Sequence, residues 1–403
     1  MTQSVDLLIT HASQLLTMEN GLGLIEGGAI AVHEGKVVEV GKTAELERRY
    51  TGQEYLNATG KTISPGLVDC HTHLLFAGSR EHEFLSRLKG ADYLSILQQG
   101  GGILSTVEQV RRATPEALIQ HGTQWLKEFL AHGVTCVEIK SGYGLDYANE
   151  KKMLEAIAAL RGLTDQHIVS TFLGAHTFPK ELREQPDKQM DELVNRMLPD
   201  FRELAEHCDL FLEQGAFSYA QAELILERAQ SLGYGLKIHS NQMTQLGGME
   251  LAKKYPLLSV EHLDRMSEQE IEMLADAGAV AVLLPGASFF LRESWAPARR
   301  LIEKEIPVAL ATDFNPGSSP CSNLHFIMNL AVNQLGMLPH EVWQAVTVTA
   351  AKALNRADTL GSLVSGKNAD LVLWSMPNHL HPFYFFGKNF VEKVWVKGCS
   401  VPM

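Results

Sequence analysis

Basic residues are the scarcer sign of charge in this 403-residue sequence: 35 Lys and Arg stand against 47 Asp and Glu, a net charge of −12. No Lys/Arg block offsets that balance, so nucleic acid and anionic membrane surfaces are not expected partners. Cysteine is sparse as well. Cys70, Cys136, Cys208, Cys321 and Cys399 are odd in number, scattered, and form no C-x-x-C pair. That pattern fits a reducing compartment rather than a disulfide framework. No apolar run approaches the roughly 18 residues of a membrane span. No basic-then-apolar leader opens the sequence, where Asp6 interrupts the first apolar stretch. The expectation is a soluble cytoplasmic protein. Low-complexity tracts and internal repeats are also missing. No Gly-rich fingerprint follows the first central strand, which removes support for a doubly wound nucleotide-binding sheet.

What is present is an ordinary globular composition, 45% apolar and 20% charged. Strand-like runs occupy both ends: Asp6–Thr10, Ala29–Val32 and Lys36–Val40 early, Leu371–Trp374 and Val391–Val396 late. Between them strands and helices alternate. The strands are Ile63–Cys70, Val134–Lys140, His167–Leu173, Asp209–Glu213, Leu236–His239, Leu258–Glu261, Ala279–Leu284 and Pro307–Thr312. Their apolar runs are continuous rather than alternating, as in parallel strands buried on both faces. Helix signals separate them. Thr114-Pro115-Glu116 starts one helix that Gly133 ends, Tyr147–Arg161 is a second, and Ser267–Glu270 is a capping box closed by Gly278. Eight strands alternating with helices predict a (β/α)8 barrel over 62–363. Residues 1–61 and 364–403 are too short to stand alone and are expected to form one composite β-sandwich.

Reactive residues of such barrels lie at the C-terminal ends of the strands. Here those ends carry His71 and His73, His176, Glu213, His239, His262 and Asp313. His71 and His73 are two apart on a strand and share a face. Together with His239 and Asp313 they offer three imidazoles and a carboxylate, a set that suits one Zn²⁺ or Fe²⁺ with a position left for water. Taken singly, Asp313 could instead cap a turn and His176 could be a core histidine. Arg80 could pair with Glu81 or Glu83.

Pro65–His73 (PGLVDCHTH) resembles the first barrel strand of the amidohydrolase superfamily, and Gly361–Leu371 (GSLVSGKNADL) resembles the return to its β-sandwich. Within that superfamily the chain is most similar to the imidazolonepropionase family. The discriminating segments are 76–81 (FAGSRE), 138–146 (EIKSGYGLD), 172–176 (FLGAH), 215–218 (GAFS) and 312–318 (TDFNPGS). The resemblance implies metal-dependent opening of the ring of 4-imidazolone-5-propanoate to N-formimidoyl-L-glutamate, a step of histidine breakdown. It implies His71, His73, His239 and Asp313 as ligands of one divalent ion. Arg80, Tyr143, His176, Gln242, Asn315, Gly317 and Ser318 are implied as substrate contacts. His262 would help activate water or polarise the attacked carbonyl, and Asp313 would carry the proton. It further suggests a homodimer.

Two departures bear on neighbouring activities. The fourth strand ends in Glu213 and not in the lysine that two-metal relatives carboxylate, which favours a single ion. Gln242 stands where purine and pyrimidine deaminases place a glutamate, and an amide cannot shuttle a proton. Asn241 replaces an aspartate expected of the family. The competing expectations are another cyclic-amide hydrolase or deaminase on the same scaffold, and a non-catalytic scaffold protein, which should have lost ligand residues that this chain retains.

Overall fold

The computed structural model describes residues 2–90 and 101–402. Eight parallel strands form one sheet in chain order: β1 (Leu67–Asp69), β2 (Val134–Lys140), β3 (His167–Ala175), β4 (His207–Leu212), β5 (Gly235–Ser240), β6 (Leu257–His262), β7 (Val280–Leu283) and β8 (Val308–Leu310). The sheet closes just beyond its two outer strands. A parallel bridge joins Thr72 to Phe314, with Asp313 N–H donating to His71 O at 3.0 Å and His73 N–H to Phe314 O at 3.0 Å. This is the expected (β/α)8 barrel. Its closing seam is also where His71, His73 and Asp313 meet.

The helix signals act as their chemistry requires. Thr114 accepts from Ala117 N–H at 3.2 Å and caps helix Pro115–Ala131. Asp146 caps Tyr147–Leu160, and the reciprocal Ser267–Glu270 box starts Glu268–Ala277. Gly278 then turns out of that helix at φ +72°, a conformation glycine adopts without a Cβ penalty.

The chain ends build a second, mixed sheet of eight strands. They are Gln3–Leu16, Leu24–His33, Lys36–Lys42, Tyr50–Asn57, Thr62–Pro65, Leu371–Trp374, Val391–Val396 and Cys399–Val401. Thr62–Pro65 lies at its centre, parallel to the first strand and antiparallel to Leu371–Trp374. A separate core of Leu7, Ile9, Leu15, Ile30, Ile63, Leu371 and Trp395 fills it. The strands Tyr50–Asn57 and Cys399–Val401 were not signalled by the sequence.

One expected strand is divided. Ile63–Cys70 reads as a single apolar run, yet Thr62–Pro65 belongs to the terminal sheet and Leu67–Asp69 to the barrel. Gly66 is the crossing point. A Cβ there would fall 2.1 Å from Thr135 Oγ1, so the backbone can pass from one sheet to the other only without a side chain. The long connection after β1 contains helices Glu81–Leu88 and Ile103–Arg112, and its residues 91–100 lie outside the described residues.

Candidate metal centre

Four side-chain atoms converge at the closing seam. His73 Nε2 lies 3.3 Å from His71 Nε2 and 3.4 Å from His239 Nε2. Asp313 Oδ1 lies 3.4 Å from the Nε2 atoms of both His71 and His73. Ligands about 2.0–2.1 Å from a tetrahedral ion stand ~3.3 Å from one another. The spacing therefore fits a shared cation better than hydrogen bonds between rings. All four residues are buried. Burial holds the imidazoles of His71 and His73 well below their ordinary pKa, in the neutral form that offers a lone pair. Burial also pushes the Asp313 carboxyl up to about 7, a shift that a bound cation would counter.

Several of these positions carry backbone strain. Asn241, His262, Leu263 and Asp313 have φ of +57°, +75°, +63° and +51°. Non-glycine residues seldom adopt such angles, and they gather where a side chain must be aimed. His262 ends β6 with its ring centroid 5.4 Å from His239 and 6.0 Å from His71. Its Nδ1 lies 3.7 Å from Asp264 Oδ2, and Asp264 in turn accepts from Ser288 Oγ at 2.8 Å.

Behind the histidines is a charged array that sequence reasoning missed. Lys140 Nζ meets Asp209 at 2.7 Å, Glu138 at 2.8 Å and Glu261 at 3.1 Å. Lys237 Nζ meets Glu138 at 2.7 Å, Glu261 at 2.8 Å and the Cys70 carbonyl at 3.1 Å. All five side chains are fully buried. Burial alone would discharge Lys140, but Asp209, Glu138 and Glu261 hold its pKa well above the ordinary lysine value. A signal existed. Glu138 and Lys140, and likewise Lys237 and His239, are two apart inside otherwise apolar strands, so each pair faces the barrel interior together.

Two of the expected substrate contacts, His176 and Tyr143, pack against His73. The His176 ring stacks on His73, with centroids 5.0 Å apart and planes at 17°. Its Nδ1 donates to Gly142 O at 3.1 Å, and burial drops its pKa to about 3. Nε2 is then left as an acceptor. The Tyr143 ring lies 5.9 Å from His73 and 5.5 Å from His176. Burial raises the pKa of its phenol, which stays a neutral donor. Glu150 builds the loop beneath Tyr143: its Oε1 accepts from Gly144 N–H at 2.7 Å and Leu145 N–H at 2.9 Å. No local signal distinguishes Glu150 from any other helical glutamate.

Arg80 forks onto Glu83, with Nε at 3.0 Å and Nη2 at 2.7 Å from Oε2. Of its two sequence partners, Glu83 is the one engaged. Gln242 is half-buried in the loop after β5. Asn315 is turned inward: its Oδ1 accepts from Gly317 N–H at 2.8 Å and Ser318 N–H at 2.7 Å. Its Nδ2 donates to Asp313 O at 2.6 Å. Thus the Asn315 side chain and the Gly317 amide lock the loop that aims Asp313. Ser318 Oγ reaches Asp313 Oδ2 at 3.3 Å. Glu213 accepts from Met243 N–H at 2.9 Å and Thr244 N–H at 3.2 Å, shaping the loop after β5.

Known proteins sharpen the picture. A model of the amidohydrolase family matches residues 62–401, and one of the bacterial imidazolonepropionase-like composite domain matches 28–52. An imidazolonepropionase of Geobacillus kaustophilus is 44% identical, covering 98% of this chain and 97% of its own. One of Alkaliphilus oremlandii is 44% identical, covering 99% and 98%. Among solved structures, a zinc-bound adenosine deaminase from Xanthomonas campestris superposes with a TM-score of 0.78 at 22% identity, over 99% of this chain and 93% of its own. A zinc-bound atrazine chlorohydrolase from Arthrobacter aurescens gives 0.74 at 18%, over 98% and 94%. At those identities the structural likeness speaks for the fold. The full-length sequence match goes further, and the chain belongs to the imidazolonepropionase family of the amidohydrolase superfamily.

Proposed function

We propose that this chain is a metal-dependent hydrolase that adds water across a ring C–N bond of 4-imidazolone-5-propanoate and releases N-formimidoyl-L-glutamate. The observation that carries the reading is the convergence of His71, His239 and Asp313 on His73, each 3.3–3.4 Å from its Nε2. It occurs in a chain matched end to end by imidazolonepropionases. Those four residues would hold one divalent cation, Zn²⁺ or Fe²⁺. When bound, the cation supplies Lewis acidity, acidifying water and polarising a carbonyl.

The protein's own groups do the rest. Arg80 exchanges its Glu83 partner for the propionate carboxylate, a planar match of fork to carboxylate. Tyr143 donates and His176 accepts, so the pair reads the ring's polar edge. Gln242 hydrogen-bonds the substrate and moves no proton. Asn315, Gly317 and Ser318 border the ring on the Asp313 side. His262 polarises the carbonyl under attack. Asp313 takes the proton of the attacking water and returns it to the ring nitrogen as the C–N bond breaks.

The reading carries with it a cytoplasmic homodimer that takes no nucleic-acid or membrane partner, expectations that rest on the net charge of −12 and on the family. Among the described residues no helix is long and apolar enough to cross a membrane. The direct test is loss of freshly made imidazolone propionate with and without chelator. Metal-dependent loss above the spontaneous rate is expected. His262→Ala should retain metal while turnover falls ~10²–10⁴-fold. Near-normal turnover in that variant, or no metal-dependent loss in the parent, defeats the assignment.

A further inference from the structure

One carboxylate stands behind two of the histidines. Glu261 Oε2 lies 2.5 Å from His71 Nδ1 and 3.5 Å from His239 Nδ1. The same oxygen meets Lys140 Nζ at 3.1 Å. Its other oxygen meets Lys237 Nζ at 2.8 Å and accepts from Ser259 Oγ at 3.0 Å. The side chain is fully buried and sits on the far side of the rings from the converging Nε2 atoms. It therefore touches neither substrate nor the open end of the barrel.

We propose that Glu261 is a positioning residue of the metal centre: one carboxylate sets the tautomer and orientation of His71 and His239 together, and Lys140 and Lys237 hold it there. The inference rests on the reading that these histidines ligate a cation. A neutral imidazole has one N–H and one lone pair. A carboxylate only accepts, so Glu261 draws the proton to Nδ1 and leaves the Nε2 lone pair facing the centre. Asp209 repeats the arrangement at 3.0 Å from His239 Nδ1. His73 differs. Among the described residues its one carboxylate contact is Asp313, at Nε2, and its ring stacks on His176.

Glu138 supplies an internal control. It joins the same two lysines, at 2.8 and 2.7 Å, and is equally buried; it comes within 4.8 Å of His71 but, among the described residues, forms no ion pair with a histidine. Glu261→Gln and Glu138→Gln thus remove the same charge from the same array, but only the first removes a contact to a ligand. The readouts are Zn²⁺ affinity by competition with a chromophoric chelator, the visible spectrum of the Co²⁺-loaded protein, and thermal melts of the metal-free protein. Glu261→Gln is expected to weaken Zn²⁺ binding by roughly 10–100-fold and to shift the Co²⁺ bands. Glu138→Gln is expected to change affinity by no more than a few-fold with the bands in place. Equal weakening in both variants, or none in Glu261→Gln, overturns the proposal. If Glu261→Gln does not fold, Asp209→Asn decides through its contact to His239, with an unchanged affinity counting against the arrangement. Should His71→Ala bind Zn²⁺ as the parent does, the metal reading itself fails, a result distinct from either of these.

Discussion

The guanidinium of Arg80 lies flush against the backbone of Gly317: a Cβ placed on Gly317 would fall 2.1 Å from Arg80 Nη1. Gly317 is not among the glycines with positive φ, so alanine is compatible with its backbone. The far end of a flexible side chain is what must move. Gly317→Ala should leave stability unchanged or raised by about 0.4–1 kcal/mol. It should raise KM about 10–100-fold as the carboxylate contact is lost, with less effect on kcat. The check is a double-mutant cycle with Arg80→Met, in which the Gly317→Ala effect should vanish. An equal loss in that background would show that the glycine acts by another route.

Asn241 Nδ2 donates to Glu270 Oε1 at 2.7 Å and to Arg265 O at 2.9 Å. An aspartate here would lose both donors and face a second carboxylate in a buried position. Asn241→Asp is expected to destabilise the protein by about 1–3 kcal/mol, measured by urea unfolding. Glu270→Gln should recover most of the loss while keeping its helix cap, since an amide oxygen can still accept from Ser267. No recovery would mean that the pairing is not the cause. The departure at position 241 is therefore matched by the chemistry of its neighbour.

Burial pushes the Asp264 carboxyl up to about 7, with Asp313 adding to the rise and the Ser288 hydroxyl opposing it. The folded pKa lies above the unfolded one near 3.8, so between those values the folded state holds the extra proton. Stability from this group is complete at low pH and is lost as pH rises through about 7, by up to about 1.4 kcal/mol per unit. Asp264→Asn removes that dependence. Denaturation at a series of pH values should show the variant gaining on the parent from pH 4 to 7 and holding its lead above. Parallel curves would refute this.

The sequence made the strand ends legible because metal-ligating and proton-moving groups are conspicuous there. Val134–Lys140, Leu371–Trp374 and Val391–Val396 have the boundaries their apolar runs suggest. What stayed hidden depends on contacts between distant residues. The break at Gly66 follows from Thr135, nearly seventy positions away. The inward turn of Asn315 follows from a loop conformation that composition does not specify. Glu138, Lys237 and Glu261 were passed over because single charges within apolar runs blend into a buried-strand pattern. Only the closed barrel makes them one array.

The pairing of Thr62–Pro65 with Leu371–Trp374 has a bearing on how this protein is made. The central strand of the terminal sheet leaves the ribosome some three hundred residues before its partner does. Throughout that interval one of its hydrogen-bonding edges has no strand to meet. The nascent chain must hold an open β-edge while the barrel is still being synthesised, which is the arrangement most exposed to wrong pairing with a neighbouring chain. Slow translation of the barrel would lengthen that exposure, and a chaperone able to cover a short strand would shorten it.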